Sequence, residues 1–172
     1  AAARRLKFDK QYARSPFPFF GGKSRASHLI WQALGDDLTH YLEHFAGSLA
    51  PLLACRSPSK SETVNDISGL ICNVWRAIKY DPVAVAQRVD MRICELTLEA
   101  ASKWLAQYEG ELTNKLRADH RWFNAEAAGL WIYWACARIG STGLGAGGLP
   151  RIGNHGAGLY GISSPPASTW IE

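Results

Sequence analysis

A strand, a tight turn and a helix follow one another twice between His40 and Ile78, and that order leaves few folds open. His40-Tyr41-Leu42-Glu43-His44-Phe45 reads as a short strand ending in the turn Ala46-Gly47-Ser48. Leu49 to Cys55 then reads as helix, with Ser48 as its cap and Pro51 tolerated in the first turn. Glu62-Thr63-Val64-Asn65-Asp66 is a second short strand. After it, Ile67, Leu70, Ile71, Val74, Trp75 and Ile78 recur at the spacing of an amphipathic helix. Repeated units of this kind begin a doubly wound α/β sheet. Ligands of such sheets bind beyond the carboxyl ends of the strands, where loops enter the next helix. Phe45-Ala46-Gly47-Ser48 and Asn65-Asp66 both fall at that edge.

The rest of the chain is mostly helical in pattern. Residues 1–15 are a polar lead-in without periodicity, and the two prolines and two glycines of Ser15 to Lys23 forbid helix and make a turn. Ala26, Leu29, Ile30, Ala33 and Leu34 recur at helical spacing, and Gly35 stops that helix. Asp81-Pro82 breaks the helix that begins near Ile67 and caps a short one through about Arg88. Leu96 to Tyr108 and Ala125 to Ile139 are further helices. The latter is apolar almost all round, which predicts burial. Glycines crowd the stretch from Gly140 to Gly161, a loop or irregular ribbon.

Composition bounds the function classes. Apolar residues make up 47% and charged residues 20% of 172 residues, an ordinary globular balance long enough to bury a core. No apolar run reaches the roughly 18 residues that span a bilayer, and no secretory signal is visible, so a cytoplasmic protein without membrane partners is expected. Cys55, Cys72, Cys94 and Cys136 form no CxxC pair and read as reduced core residues. The net charge of +4 is uneven: Arg4, Arg5, Lys7, Lys10, Arg14, Lys23 and Arg25 face the single acid Asp9 in the first 25 residues. Such an arm is either a solvated leader or a contact for a polyanion such as DNA.

Three ordered segments narrow the field. They are Phe19-Phe20-Gly21-Gly22-Lys23 before a helix, Glu43-His44-Phe45-Ala46-Gly47-Ser48 at the first strand end, and Asn65-Asp66 at the second. In this order the chain resembles the Dam-like DNA adenine-specific methyltransferases, a phage-type branch in particular, over roughly residues 14–162. The resemblance implies a partial Rossmann-like methyltransferase sheet of two to three short strands, flanked by many helices. It also implies S-adenosylmethionine as cofactor and double-stranded DNA as partner. On that basis Phe19, Gly22, Lys23, Glu43, Phe45, Gly47 and Asp66 are the expected cofactor-binding residues. Gly47 would let backbone approach the methionine part. Phe19 would pack near the adenine ring or simply fill core. Asp66 would accept from the ribose hydroxyls, cap the following helix, or do both. The aromatic helix and its glycine-rich sequel match the family's target-recognition region, so Arg14, Arg138, Arg151, Asn154 and His155 are candidate DNA contacts. No ligand cluster accompanies His155, and no metal is expected.

Two departures stand against the family pattern. His44 replaces the proline that follows the strand-end acid, which loosens the turn. The D-P-P-Y motif, which holds the flipped adenine, does not occur; Ser164-Pro165-Pro166-Ala167 is the nearest string and lacks the stacking aromatic. The expectation is a basic arm (1–15), a cofactor half-domain (16–80), a helical and glycine-rich recognition region (81–162) and a tail (163–172), inactive alone. The alternative is a catalytically inactive homologue that binds DNA or protein, such as a phage-encoded inhibitor of a host defence complex. An open sheet edge would favour a dimer or a protein partner covering it.

Overall fold

In the computed structural model, residues 15–35, 37–55 and 61–137 are described, and DNA-contact candidates Arg14, Arg138, Arg151, Asn154 and His155 lie outside them. The described elements are α1 (Ser27–Leu34), β1 (His40–Glu43), α2 (Ala50–Leu53), β2 (Ser61–Val64), α3 (Gly69–Tyr80), α4 (Pro82–Val89), α5 (Glu95–Ala118) and α6 (Ala125–Cys136). The fold is therefore mixed α/β, helix-rich, with a small parallel sheet of two strands, as expected. The chain divides after Asn65 into two compact units.

In the first unit β1 and β2 run parallel, with His40 opposite Ser61 and Glu43 opposite Val64. Parallel neighbours cannot be joined by a hairpin, and α2 lies in the crossover between them. Alternation along β1 turns Tyr41 and Glu43 inward and leaves His40 and Leu42 outside, while all of β2 is exposed. Trp31 of α1, Tyr41 and Ala54 form the core, with Leu38, Leu52 and Cys55 packed against it. Trp31 stacks on Tyr41 at 5.2 Å between ring centroids, and its indole N–H donates to the Pro51 carbonyl at 2.7 Å. That bond joins α1 to α2. Gly35 ends α1 in the left-handed region (φ 78°), its N–H closing on the Trp31 carbonyl.

The second unit is a helical bundle of α3 to α6. Leu98, Ala101, Leu105, Leu112 and Leu116 form the buried seam of α5. Each fully buried leucine of that seam contributes about 1.5–3 kcal/mol relative to exposure. Gly69 admits Thr113 where α3 meets α5, and Gly129 admits Arg88 and the Val85 carbonyl where α4 meets α6. A Cβ at either position would overlap those atoms. Trp131, Ile132, Tyr133 and Trp134 are buried, as the all-round apolar pattern of α6 predicts. Polar contacts fix the helix ends. Asn73, fully buried on α3, donates to the Asn124 carbonyl and accepts from its N–H, both at 2.8 Å. Asn124 in turn caps α6 by accepting from the Ala127 N–H at 2.8 Å.

Several boundaries differ from the sequence reading. Ser48 does not cap α2; Leu49 holds that position in the left-handed region (φ 51°), and Ser48 is buried. Ile67 lies outside α3 and is fully exposed, because the helix starts only at Gly69. The helix expected to stop near Tyr108 continues to Ala118: Gly110 is exposed and merely weakens it, while Leu112 and Leu116 extend its buried seam. Cys94 is exposed rather than core. Asp81 does cap α4, its Oδ1 accepting from the Ala84 N–H at 3.0 Å.

Candidate functional site

The loop after β1 enters α2 through two left-handed residues, Gly47 and Leu49, with Ser48 between them. Gly47 takes φ 48° without strain, whereas Leu49 at φ 51° is a branched side chain in a region costing of order 1–3 kcal/mol. Leu49 is buried, which holds it there. The ladder continues past the strands: the Asn65 N–H donates to the Glu43 carbonyl, and the Ala46 N–H to the Asn65 carbonyl, both at 2.8 Å. Strand ends and turn are thus one bonded piece.

The Phe19–Lys23 turn packs onto that piece. The Gly22 N–H closes the turn on the Phe19 carbonyl at 2.9 Å, and a Cβ at residue 22 would crowd the same oxygen. The Phe19 ring lies against Gly47, where a Cβ would come within 2.7 Å of it, so glycine is needed there for the ring to seat. Lys23 reaches across to donate to the Phe45 carbonyl and forms an ion pair with Glu43, Nζ to Oε1 2.9 Å. Glu43 is buried, while Lys23 keeps about a third of its side chain in solvent.

The two oxygens of Glu43 differ. Oε2 accepts from the Tyr41 hydroxyl at 3.0 Å. Oε1, also buried, is compensated by the Lys23 ammonium and by no other donor among the described residues. Burial, then the Glu43 charge and hydrogen bond, hold the Tyr41 phenol well above its ordinary range, so it stays a donor. Phe20 and Phe45 are exposed beside these residues in the chain.

The first unit therefore brings Phe19, Gly22, Lys23, Glu43, Phe45 and Gly47 together. Asp66 opens the second unit, where its Oδ1 accepts from the Ser68 N–H at 3.0 Å, a turn leading into α3. Asp66 does not itself cap α3: Ser68 holds the N-cap position without a side-chain capping bond, and the Asp66 carboxylate braces the turn before it. Among the described residues, no group of three acids, histidines or cysteines could hold a metal ion, and no helix is long and apolar enough to cross a membrane.

The family model of the D12 class N6 adenine-specific DNA methyltransferases matches residues 19–124. The chain belongs to that family. Neither a curated protein nor a solved structure gives a match. The D12 match begins at Phe19 and spans every cofactor-binding candidate, from the glycine–lysine turn through Asp66. It also takes in α5, which lies outside the three ordered motifs.

Sequence reasoning missed Tyr41, whose phenol orients the D12 strand-end acid. The signal was present: residues two apart on a strand share a face. It also missed Asn73 and Arg76, polar residues set among the buried positions of α3. The Arg76 guanidinium donates through Nη1 to the carbonyls of Leu116, Asp119 and Trp122 at 3.0, 2.9 and 3.3 Å, closing the end of α5.

Proposed function

We propose that the first unit holds S-adenosylmethionine and that the chain binds double-stranded DNA in the service of methyl transfer to the adenine amino group. The observation that carries this reading is the Lys23–Glu43 ion pair. It joins the glycine–lysine turn to the acidic strand end, two motifs 20 residues apart that a cofactor-binding half-site needs in one place.

The residues present suit such a ligand. A glycine turn with an aromatic ring on it offers backbone and a flat apolar surface without a Cβ in the way. Glu43 Oε1, buried and paired with Lys23, keeps a lone pair for a ligand hydroxyl. Lys23, partly solvated, suits a carboxylate. Phe19 and Phe45 supply aromatic surface, and Gly22 keeps the turn tight. The ribose hydroxyls are assigned to Asp66 on sequence resemblance alone. S-adenosylmethionine, when bound, supplies the methyl group. The role of this chain is to orient the ligand and exclude side chains from its approach. Holding the flipped adenine calls for a D-P-P-Y motif or an equivalent, and the string D-P-P-Y does not occur in the 172 residues.

Titration calorimetry with S-adenosylmethionine tests the reading. Saturable binding is expected, weakened at least tenfold in Lys23→Met, with far-UV circular dichroism unchanged. Absence of heat with millimolar ligand on folded wild-type protein overturns it.

A further inference from the structure

We infer that the end of the second unit where α3 and α5 terminate is a contact surface for the phosphate backbone of duplex DNA, carried by Lys79, Arg117 and Arg121. The inference deepens the DNA-binding reading proposed above and rests on it. It concerns residues outside the basic arm and the glycine-rich stretch.

Half of the described lysines and arginines of this unit are already engaged. Arg88 pairs with Glu126, Lys103 with Glu99 and Lys115 with Glu111, and Arg76 is bonded to three carbonyls. Among the described residues, Lys79, Arg117 and Arg121 have no acidic partner within ion-pair distance, and all three are exposed. The structure gathers them. Arg76, one turn before Lys79, grips the carbonyls of 116, 119 and 122, and Tyr80 stacks on Phe123 at 5.8 Å. The last turn of α3 is therefore held against the 116–123 turn that bears Arg117 and Arg121.

Cations in a final helical turn ordinarily answer the helix dipole. At α5 Arg76 answers part of that demand, its guanidinium on the Leu116 carbonyl of the last turn and on the carbonyls of Asp119 and Trp122 beyond it. Arg121 lies beyond the helix altogether. The nearby acid Asp119 is engaged locally, its Oδ1 accepting from the Arg121 N–H at 2.8 Å. What is left is a braced positive patch beside the half-exposed ring of Tyr80. Regularly spaced phosphates fit such a patch, because each neutralised phosphate releases condensed counterions.

The test is fluorescence anisotropy of the full chain on a labelled duplex oligonucleotide at several salt concentrations. The triple variant Lys79→Glu, Arg117→Glu, Arg121→Glu is compared with Arg92→Glu, an exposed unpaired cation before the start of α5. That helix is 24 residues, or about 36 Å, long. Milder Gln substitutions at the same three positions guard against misfolding. We expect at least a thirtyfold loss of affinity in the triple variant, less than threefold in Arg92→Glu, and a shallower salt slope by roughly one per cation removed. Wild-type binding that the triple and Gln variants retain overturns the surface while leaving the DNA-binding reading intact. Failure of folded wild type to bind duplex removes both. Stronger competition by single-stranded RNA than by duplex overturns the inference in favour of an RNA partner.

Discussion

Tyr41 and Glu43 stand two residues apart on the buried face of β1, and the phenol donates to the carboxylate at 3.0 Å. This bond extends from the core to the candidate site. Trp31 stacks on Tyr41, Tyr41 orients Glu43, and Glu43 pairs with Lys23 from the glycine–lysine turn. The geometry of the turn is thus tied to the packing of α1 on β1.

Removing one link measures the coupling. Tyr41→Phe keeps the ring and its stacking but leaves Oε2 of Glu43 without its donor. A hydrogen bond to a charged group contributes about 1.5–3 kcal/mol. Urea unfolding is expected to show a loss of that order, together with weaker S-adenosylmethionine binding. Unchanged stability and affinity would place Tyr41 in the core alone.

Two glycines separate steric need from backbone need. Gly47 and Gly35 both lie at positive φ, but a Cβ meets the Phe19 ring at Gly47 and nothing within 4 Å at Gly35. Gly35→Ala should cost only the backbone strain of its positive φ and extended ψ, about 1–3 kcal/mol, with cofactor affinity intact. Gly47→Ala should lose a similar amount of stability and at least tenfold in affinity by displacing Phe19. Equal affinity losses in the two variants would contradict the assignment of Gly47.

The Asn73–Asn124 pairing anchors the start of α6. Asn73→Leu leaves the Asn124 N–H without its acceptor, at about 1–3 kcal/mol, while the Asn124 carbonyl keeps the Ala128 N–H as donor. A drop in stability of about 1–3 kcal/mol is expected, with hydrogen-exchange protection lost first in α6. A neutral substitution would contradict the role assigned to Asn73.

Alkaline pH should destabilise the chain. Burial pushes the Cys136 thiol up to about 11, and burial with the Glu43 charge raises the Tyr41 phenol. For an acid whose folded-state pKa is raised, the stabilisation is complete below its unfolded value and is lost as pH climbs towards the folded one. Denaturant unfolding should therefore show stability falling from about pH 9, the ordinary thiol value, to about 11. Cys136→Ala should flatten that decline over the same window. An unchanged slope would exclude the thiol as its source.

The sequence was most legible where periodicity and breakers agreed. The apolar spacing of α1 with Gly35, the Asp81-Pro82 cap and the all-round apolar α6 each became the element expected. The ordered motifs led to the family that the match over residues 19–124 supports. Less was legible where one residue type serves two environments. Gly110, Thr113 and Asn114 look like a helix stop, yet buried contacts of Leu112 and Leu116 carry α5 through them. Ser48 resembles a cap, but the strained backbone of Leu49 takes over the entry to α2. The Lys23–Glu43 pairing depends on a turn closing on a strand end, and no local pattern encodes that contact.

Heteronuclear NMR, with S-adenosylmethionine titrated into the labelled full chain, tests the central claim most directly. Amide shifts that saturate together at residues 19–23 and 43–48 are the predicted result. Unmoved amides in those two segments at millimolar ligand, or shifts elsewhere only, would contradict it.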